Sequence, residues 1–118
     1  MRQMKRSLLA FAILGLISMA PLAAETVEGI LIDNKSVGKM KTYEAAKSHM
    51  RSAALAANAK KGGYSIIKQD GSAVKLDDRG NMLAVATLEA SDKQKDLRVA
   101  AEGDVSGGVM ATKELRLL

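Results

Sequence analysis

The sequence predicts a small α+β domain whose elements run strand, helix, hairpin, short helix, hairpin. Three observations lead there. Short runs of Val, Ile and Leu bounded by turn residues recur along the chain, which is the signature of strands. One segment spaces its apolar residues as a helix does. Asp70-Gly71 and Ser106-Gly107-Gly108 each divide two strand-like runs, the pattern of a hairpin turn.

The first residues, MRQMKRSLLAFAILGLISMAPLAAETVEG, set Arg2, Lys5 and Arg6 ahead of an apolar run from Leu8 to Ala20. That is the layout of a secretory signal peptide. The apolar run is short of the roughly 18 to 20 residues that a permanent bilayer-spanning helix needs. Cleavage is expected after Ala24, leaving one domain over residues 25–118 that is soluble, periplasmic or secreted, and without stable membrane insertion. No cysteine is available for lipid attachment.

The first strand starts at Thr26 and carries Val27, Ile30, Leu31 and Ile32 around Gly29, a possible bulge, before stopping at Asp33-Asn34. A helix follows from about Tyr43 to Lys60, with Thr42 as N-cap and Glu44 in its first turn, where a negative charge suits the dipole. Ala46, Met50, Ala53, Ala54 and Ala57 form its apolar stripe. Lys60 and Lys61 close the last turn, and Gly62 suits a left-handed cap. Most of the stripe is alanine, so the helix can lie close against a sheet face.

Tyr64 to Gln69 and Ala73 to Leu76 form the first hairpin. Met82, Leu83, Val85, Ala86 and Leu88, capped by Asn81, read as a short helix, although Val85 and Thr87 also suit a strand. Leu97, Val99 and Ala101 alternate, meet Gly103, continue to Val105, and return from Val109 to Leu117 as a second, long and twisted hairpin. Five strands in this rhythm suit a small OB-like barrel or curled sheet. The helix after the first strand stands where that form ordinarily has a strand.

Composition narrows the function. Three of the 18 Lys and Arg lie in the leader and all 13 Asp and Glu lie beyond it, so the formal +5 of the chain falls to +2 after cleavage. A polyanion-binding argument from net charge goes with it. Single-strand nucleic-acid binders combine a basic groove with aromatic platforms. Here there are only Tyr43 and Tyr64, with no Trp, and the single Phe, Phe11, is in the leader, so nucleic acid is not an expected partner. Without disulfides or many aromatics, the domain should sit near the lower end of the usual range of about 5 to 15 kcal/mol.

His49 is the one histidine and borders the apolar stripe. The expectation is a packed side chain bonded to a backbone carbonyl. Its helical neighbours Ala45, Ala46, Ser52 and Ala53 give no convergent metal donors. A catalytic histidine would want a nucleophile and an orienting acid within reach; Ser48 and Ser52 are close in sequence, but nothing singles them out. Asp77-Asp78 reads as a solvated turn rather than an acid and base pair. Gly62-Gly63 follows a helix instead of opening one, so it reads as a cap and not a phosphate cradle. No catalytic, metal or cofactor residues are assigned.

The order GILID, AAKSHM, AL, KGGYSIIKQDG, VKLDDRGN, DLRVAAEGDVSGG and ELRLL resembles a group of small exported bacterial proteins of uncharacterised activity, over about Gly29 to Leu118. Relatives in that group carry cysteines where this chain has Ser36, Ala53 and Ala59, and His49 matches their histidine. The resemblance implies an OB-like fold in which any thiolate site or disulfide of the group is lost. The expected function is a non-enzymatic binding module for a protein, glycan or small ligand, the alternative being metal handling through His49.

Overall fold

The computed structural model describes residues 24–118. The expected signal peptide, apart from Ala24, lies outside the described residues. The elements are β1 (Glu25–Asp33), a 3-10 turn (Asn34–Ser36), α1 (Tyr43–Lys47), α2 (Arg51–Ala54), α3 (Ala57–Gly62), β2 (Tyr64–Ile67), β3 (Ala73–Leu76), α4 (Asp78–Ala90), β4 (Arg98–Ser106) and β5 (Val109–Leu117). The class is α+β, as expected, with five strands in one sheet. Its pairings close on themselves in the order β1-β2-β3-β5-β4 and back to β1. All are antiparallel except β3 with β5.

β1 is the centre of this arrangement because both of its edges and both of its faces are used. It pairs with β2 through Ile30↔Ile67 to Asp33↔Tyr64, and with β4 through Glu25↔Gly103 to Ile30↔Arg98. Alternation then divides its side chains between two cores. Val27 and Leu31 enter the main cluster with Tyr64, Ile66, Leu76, Leu88, Leu97, Val99 and Met110. Ile30 and Ile32 face the other way, joining Ala46 and Ile67 in a second cluster covered by Val37, Met40 and Tyr43. The run Gly29 to Ile32 is therefore continuously apolar for a physical reason. Over that run neither face of the strand meets water.

Gly29 is not a bulge. Register runs unbroken through it into β4, as Gly29↔Val99. Its role is close approach, since an added Cβ would collide with the Ile67 carbonyl oxygen and lie 2.7 Å from Ile66 Cγ2. The irregularity sits instead at Glu102/Gly103 in the β4–β5 hairpin. There the long ladder bends, which lets these two nine-residue strands follow the curl of the sheet.

The expected helix from Tyr43 to Lys60 is three short helices. Thr42 caps the first as expected, its hydroxyl accepting from the Ala45 amide at 3.0 Å. The chain then becomes extended at Met50 (ψ 144°) and again at Ala56 (ψ 151°). Of the expected stripe only Ala46 and Ala54 are buried; Met50 is 44% exposed, and Ala53 and Ala57 face solvent. An unbroken alanine stripe offers little area to bury. The breaks replace it with specific anchors, turning His49 inward and letting Ala54 and Ala59 reach covered positions. The left-handed cap falls on Gly63 (φ 79°) rather than on Gly62, which is the last helical residue.

Among the described residues α4 is the longest helix, with Gly80, Ala84 and Leu88 on its buried face. The strand alternative at Val85 and Thr87 is therefore not taken. Its cap is Asp77, whose Oδ1 accepts from the Gly80 amide at 2.9 Å. Asn81 does different work one turn in, accepting from the Tyr64 amide at 2.9 Å and so joining α4 to β2.

Candidate functional site

His49 is 6% exposed and its Nε2 lies 2.6 Å from Asp33 Oδ1. The backbone-carbonyl partner expected for it is replaced by a carboxylate at the end of β1. Asp33 is itself 3% exposed, and the Ser36 hydroxyl reaches both its oxygens, at 3.2 Å and 3.0 Å. A serine, a histidine and an aspartate thus lie together, but in an order that does not activate the hydroxyl. A nucleophilic serine must give its proton to the imidazole while the carboxylate orients the far side of the ring. Here Ser36 and His49 both address the carboxylate, so the hydroxyl is a donor to Asp33.

The other sequence candidates separate. The Ser48 hydroxyl donates to the Ala45 carbonyl at 2.7 Å, a bond within its own helix end. Ser52 is exposed on α2. Asp77 and Asp78 are not a solvated pair: Asp77 caps α4 and also accepts from the Thr112 amide at 3.2 Å, while Asp78 lies outward in the first turn. Burial works to raise the Asp77 carboxyl, yet the amides of Gly80 and Thr112 together hold it below its usual value. Tyr64 is fully buried and its hydroxyl donates to the Ala54 carbonyl at 2.6 Å. Burial, with help from the nearby charges of Asp33 and Glu89, pushes its phenol up to about 12. Of the two tyrosines only Tyr43 reaches the surface. Among the described residues no three His, Asp or Glu side chains come close enough to hold a metal ion.

Two of the surface recesses among the described residues hold residues that were not singled out from the sequence. One is an open cleft of about 420 Å3 between α3 and α4, lined by Lys60, Asn81, Met82, Val85, Ala86 and Glu89. Met82 is 74% exposed there, and Lys60 bridges to Glu89 at 3.4 Å on its rim. The other, about 250 Å3, lies on the outward face of β1 and is lined by Glu28, Tyr43, Gln69 and Arg98. Register and the turn after β2 explain how three of these meet. Ile30 pairs with Arg98 on one side and Ile67 on the other; Glu28 lies two residues before Ile30 on the same face of β1, and Gln69 lies two residues past Ile67, in the turn that leaves β2. Tyr43, on α1, packs on the cluster containing Ile30 and walls the recess.

Charge placement in the second recess is specific. Arg98 engages Asp96 at 3.6 Å, and Glu28 is not its ion-pair partner. Asp96 has a positive φ of 55°, and its carbonyl accepts from the Arg98 amide at 2.8 Å, a tight turn that sets where Arg98 leaves the strand. Nothing in the order of residue types marked Glu28, Gln69 and Arg98, since each alone reads as a solvated strand residue. The β1–β4 register brings Glu28 and Arg98 together, and the turn after β2 adds Gln69. No family model, curated protein or solved structure matches the chain.

Proposed function

We propose that this chain is an exported, non-enzymatic binding module on an OB-like barrel, a member of the cysteine-bearing group it resembles that has exchanged its thiols for Ser36, Ala53 and Ala59. The barrel reading is supported by the closed pairing order, the parallel β3–β5 pair and the helix between β3 and β4. In such barrels ligands meet one strand face and the loops around it. Export rests on the leader pattern in residues 1–24.

The observation that carries the binding reading is the recess of Glu28, Tyr43, Gln69 and Arg98, where the β1–β2 excursion meets the sheet and leaves opposite charges facing outward. In the Asp33–His49–Ser36 cluster, by contrast, the half-buried Ser36 and the buried His49 both direct their bonds to the buried Asp33. Metal handling through His49 is the weaker reading, because among the described residues no third donor joins its ring and Asp33.

The test is a thermal-shift panel of amino acids, dipeptides, monosaccharides, nucleotides and zinc, run beside labelling with a broad serine-reactive probe. A saturable rise with a small organic solute and no labelling is the expected result. Labelling of the folded protein, or a rise with zinc alone that His49→Ala abolishes, would overturn it.

A further inference from the structure

We infer that the recess on the outward face of β1 binds a small zwitterion, a molecule with one ammonium and one carboxylate on a short framework, such as a free amino acid or a short peptide. This rests on the binding-module reading and gives it a site and a ligand class. Glu28 and Arg98 lie diagonally across the β1–β4 pair, because Glu28 is opposite Ala100 and Arg98 is opposite Ile30. Diagonal neighbours of this kind stand about 7 to 8 Å apart, with their Cβ atoms somewhat closer, a gap that a ligand can bridge.

Charge decides the ligand class. A simple anion drawn to Arg98 meets Glu28, and a simple cation drawn to Glu28 meets Arg98. A neutral sugar can hydrogen-bond to both groups through its hydroxyls but neutralises neither charge, so it gains less than a ligand that carries both opposite charges. A zwitterion satisfies both at once, its ammonium on Glu28 and its carboxylate on the guanidinium nitrogens of Arg98 that Asp96 does not engage, through charge-assisted bonds. The Gln69 amide adds a donor and an acceptor beside Glu28. Stacking of a sugar ring on Tyr43 is disfavoured as well, since the ring packs on the Ile30 cluster and Lys47 Nζ stands 5.9 Å over its centroid. Size agrees: about 250 Å3 is below the roughly 300 to 1,000 Å3 of sites for drug-sized molecules.

The experiment is amide chemical-shift titration of the folded protein with glycine, diglycine, glycinamide, N-acetylglycine and glucose. Glycine or diglycine should move the amides of Glu28, Gln69 and Arg98, and the stronger of the two tells a free amino acid from a peptide. Glycinamide and N-acetylglycine, each lacking one charge, should bind about tenfold more weakly or worse. Glu28→Gln should erase the preference for a free ammonium, and Arg98→Gln the preference for a free carboxylate. Absence of shifts at these amides, equal binding of the neutralised probes, or affinity unchanged in both variants would overturn the assignment. If another solute moves amides elsewhere, the binding-module reading stands while this site falls; if nothing on the wider panel binds, both fall.

Discussion

Asp33 ends β1 and His49 stands between α1 and α2, and their side chains meet at 2.6 Å while almost wholly removed from water. The pair fastens the middle of the helical excursion to the strand from which it departs. Two further bonds tie the same region down, Arg51 Nε donating to the Leu88 carbonyl at 2.7 Å and the Asp96 amide to the Lys47 carbonyl at 2.9 Å. The wall of the zwitterion recess, Tyr43, is on this excursion. Its position therefore depends on a contact that does not itself line the recess.

His49→Ala should cost roughly 3 to 5 kcal/mol, because it leaves a buried carboxylate with Ser36 as its remaining side-chain donor. Asp33→Asn should cost less, since an amide oxygen can still accept from the ring. The double variant Asp33→Ala, His49→Ala should lose less than the sum of the two single alanine variants, as expected when each single change strands its partner. Urea unfolding of the set measures this, and strict additivity would mean that the two groups do not act as a pair.

The strands were readable from the sequence because each needs only local alternation and a turn. Tyr64 to Ile67, Ala73 to Leu76 and the β4–β5 hairpin fall where the apolar runs and glycines put them. The helix after β1 was misread because alanine favours helix in isolation while burying too little to hold one long helix in place. What breaks it is a tertiary bond from His49 to Asp33, and Asp33 by itself looks like a strand terminator. The recess was invisible for a related reason: Glu28, Gln69 and Arg98 come from three places in the chain, and only the β1–β4 register and the turn after β2 make them neighbours.

Tyr64 should titrate late. In a Tyr43→Phe protein it is the one tyrosine left, and its phenolate absorbance should appear with a midpoint near about 12 rather than at the ordinary 10.0. A folded value above the unfolded one means that the contribution to stability is complete below pH 10 and drains away as pH rises toward 12. The stability difference between the parent and Tyr64→Phe should shrink over that window. At neutral pH the variant should cost about 1 kcal/mol, for the lost bond to the Ala54 carbonyl.

Asp77→Ala should destabilise by about 1 kcal/mol or somewhat more, because it removes the α4 cap together with the bond to the Thr112 amide. Asp77→Asn retains an acceptor oxygen and should lose less. The carboxyl is held below its usual 3.8, so its contribution is present above that pH and is lost as pH falls through the lower folded value. Acid unfolding monitored by circular dichroism should show the parent and Asp77→Asn converging at the acid end and separating as pH rises past 3.8. Parallel curves would remove the charge of Asp77 from the account.

Gly29→Ala should be among the most damaging single methyl additions in the domain. The added carbon would meet backbone on β2, at the Ile67 carbonyl, as well as the Ile66 methyl group at 2.7 Å. A flexible side chain could swing aside, but this backbone is fixed by the β1–β2 ladder, and β1 is held on its other edge by β4. Overpacking ordinarily costs about 1 to 3 kcal/mol, and more where nothing can yield. The loss should therefore be at or above the top of that range, a large share of a stability near about 5 kcal/mol. Gly38→Ala is the internal control, since no atom lies within 4 Å of the position its Cβ would take. Thermal melts of the two variants should differ widely; similar melting temperatures would show that β1 and β2 can separate at little cost.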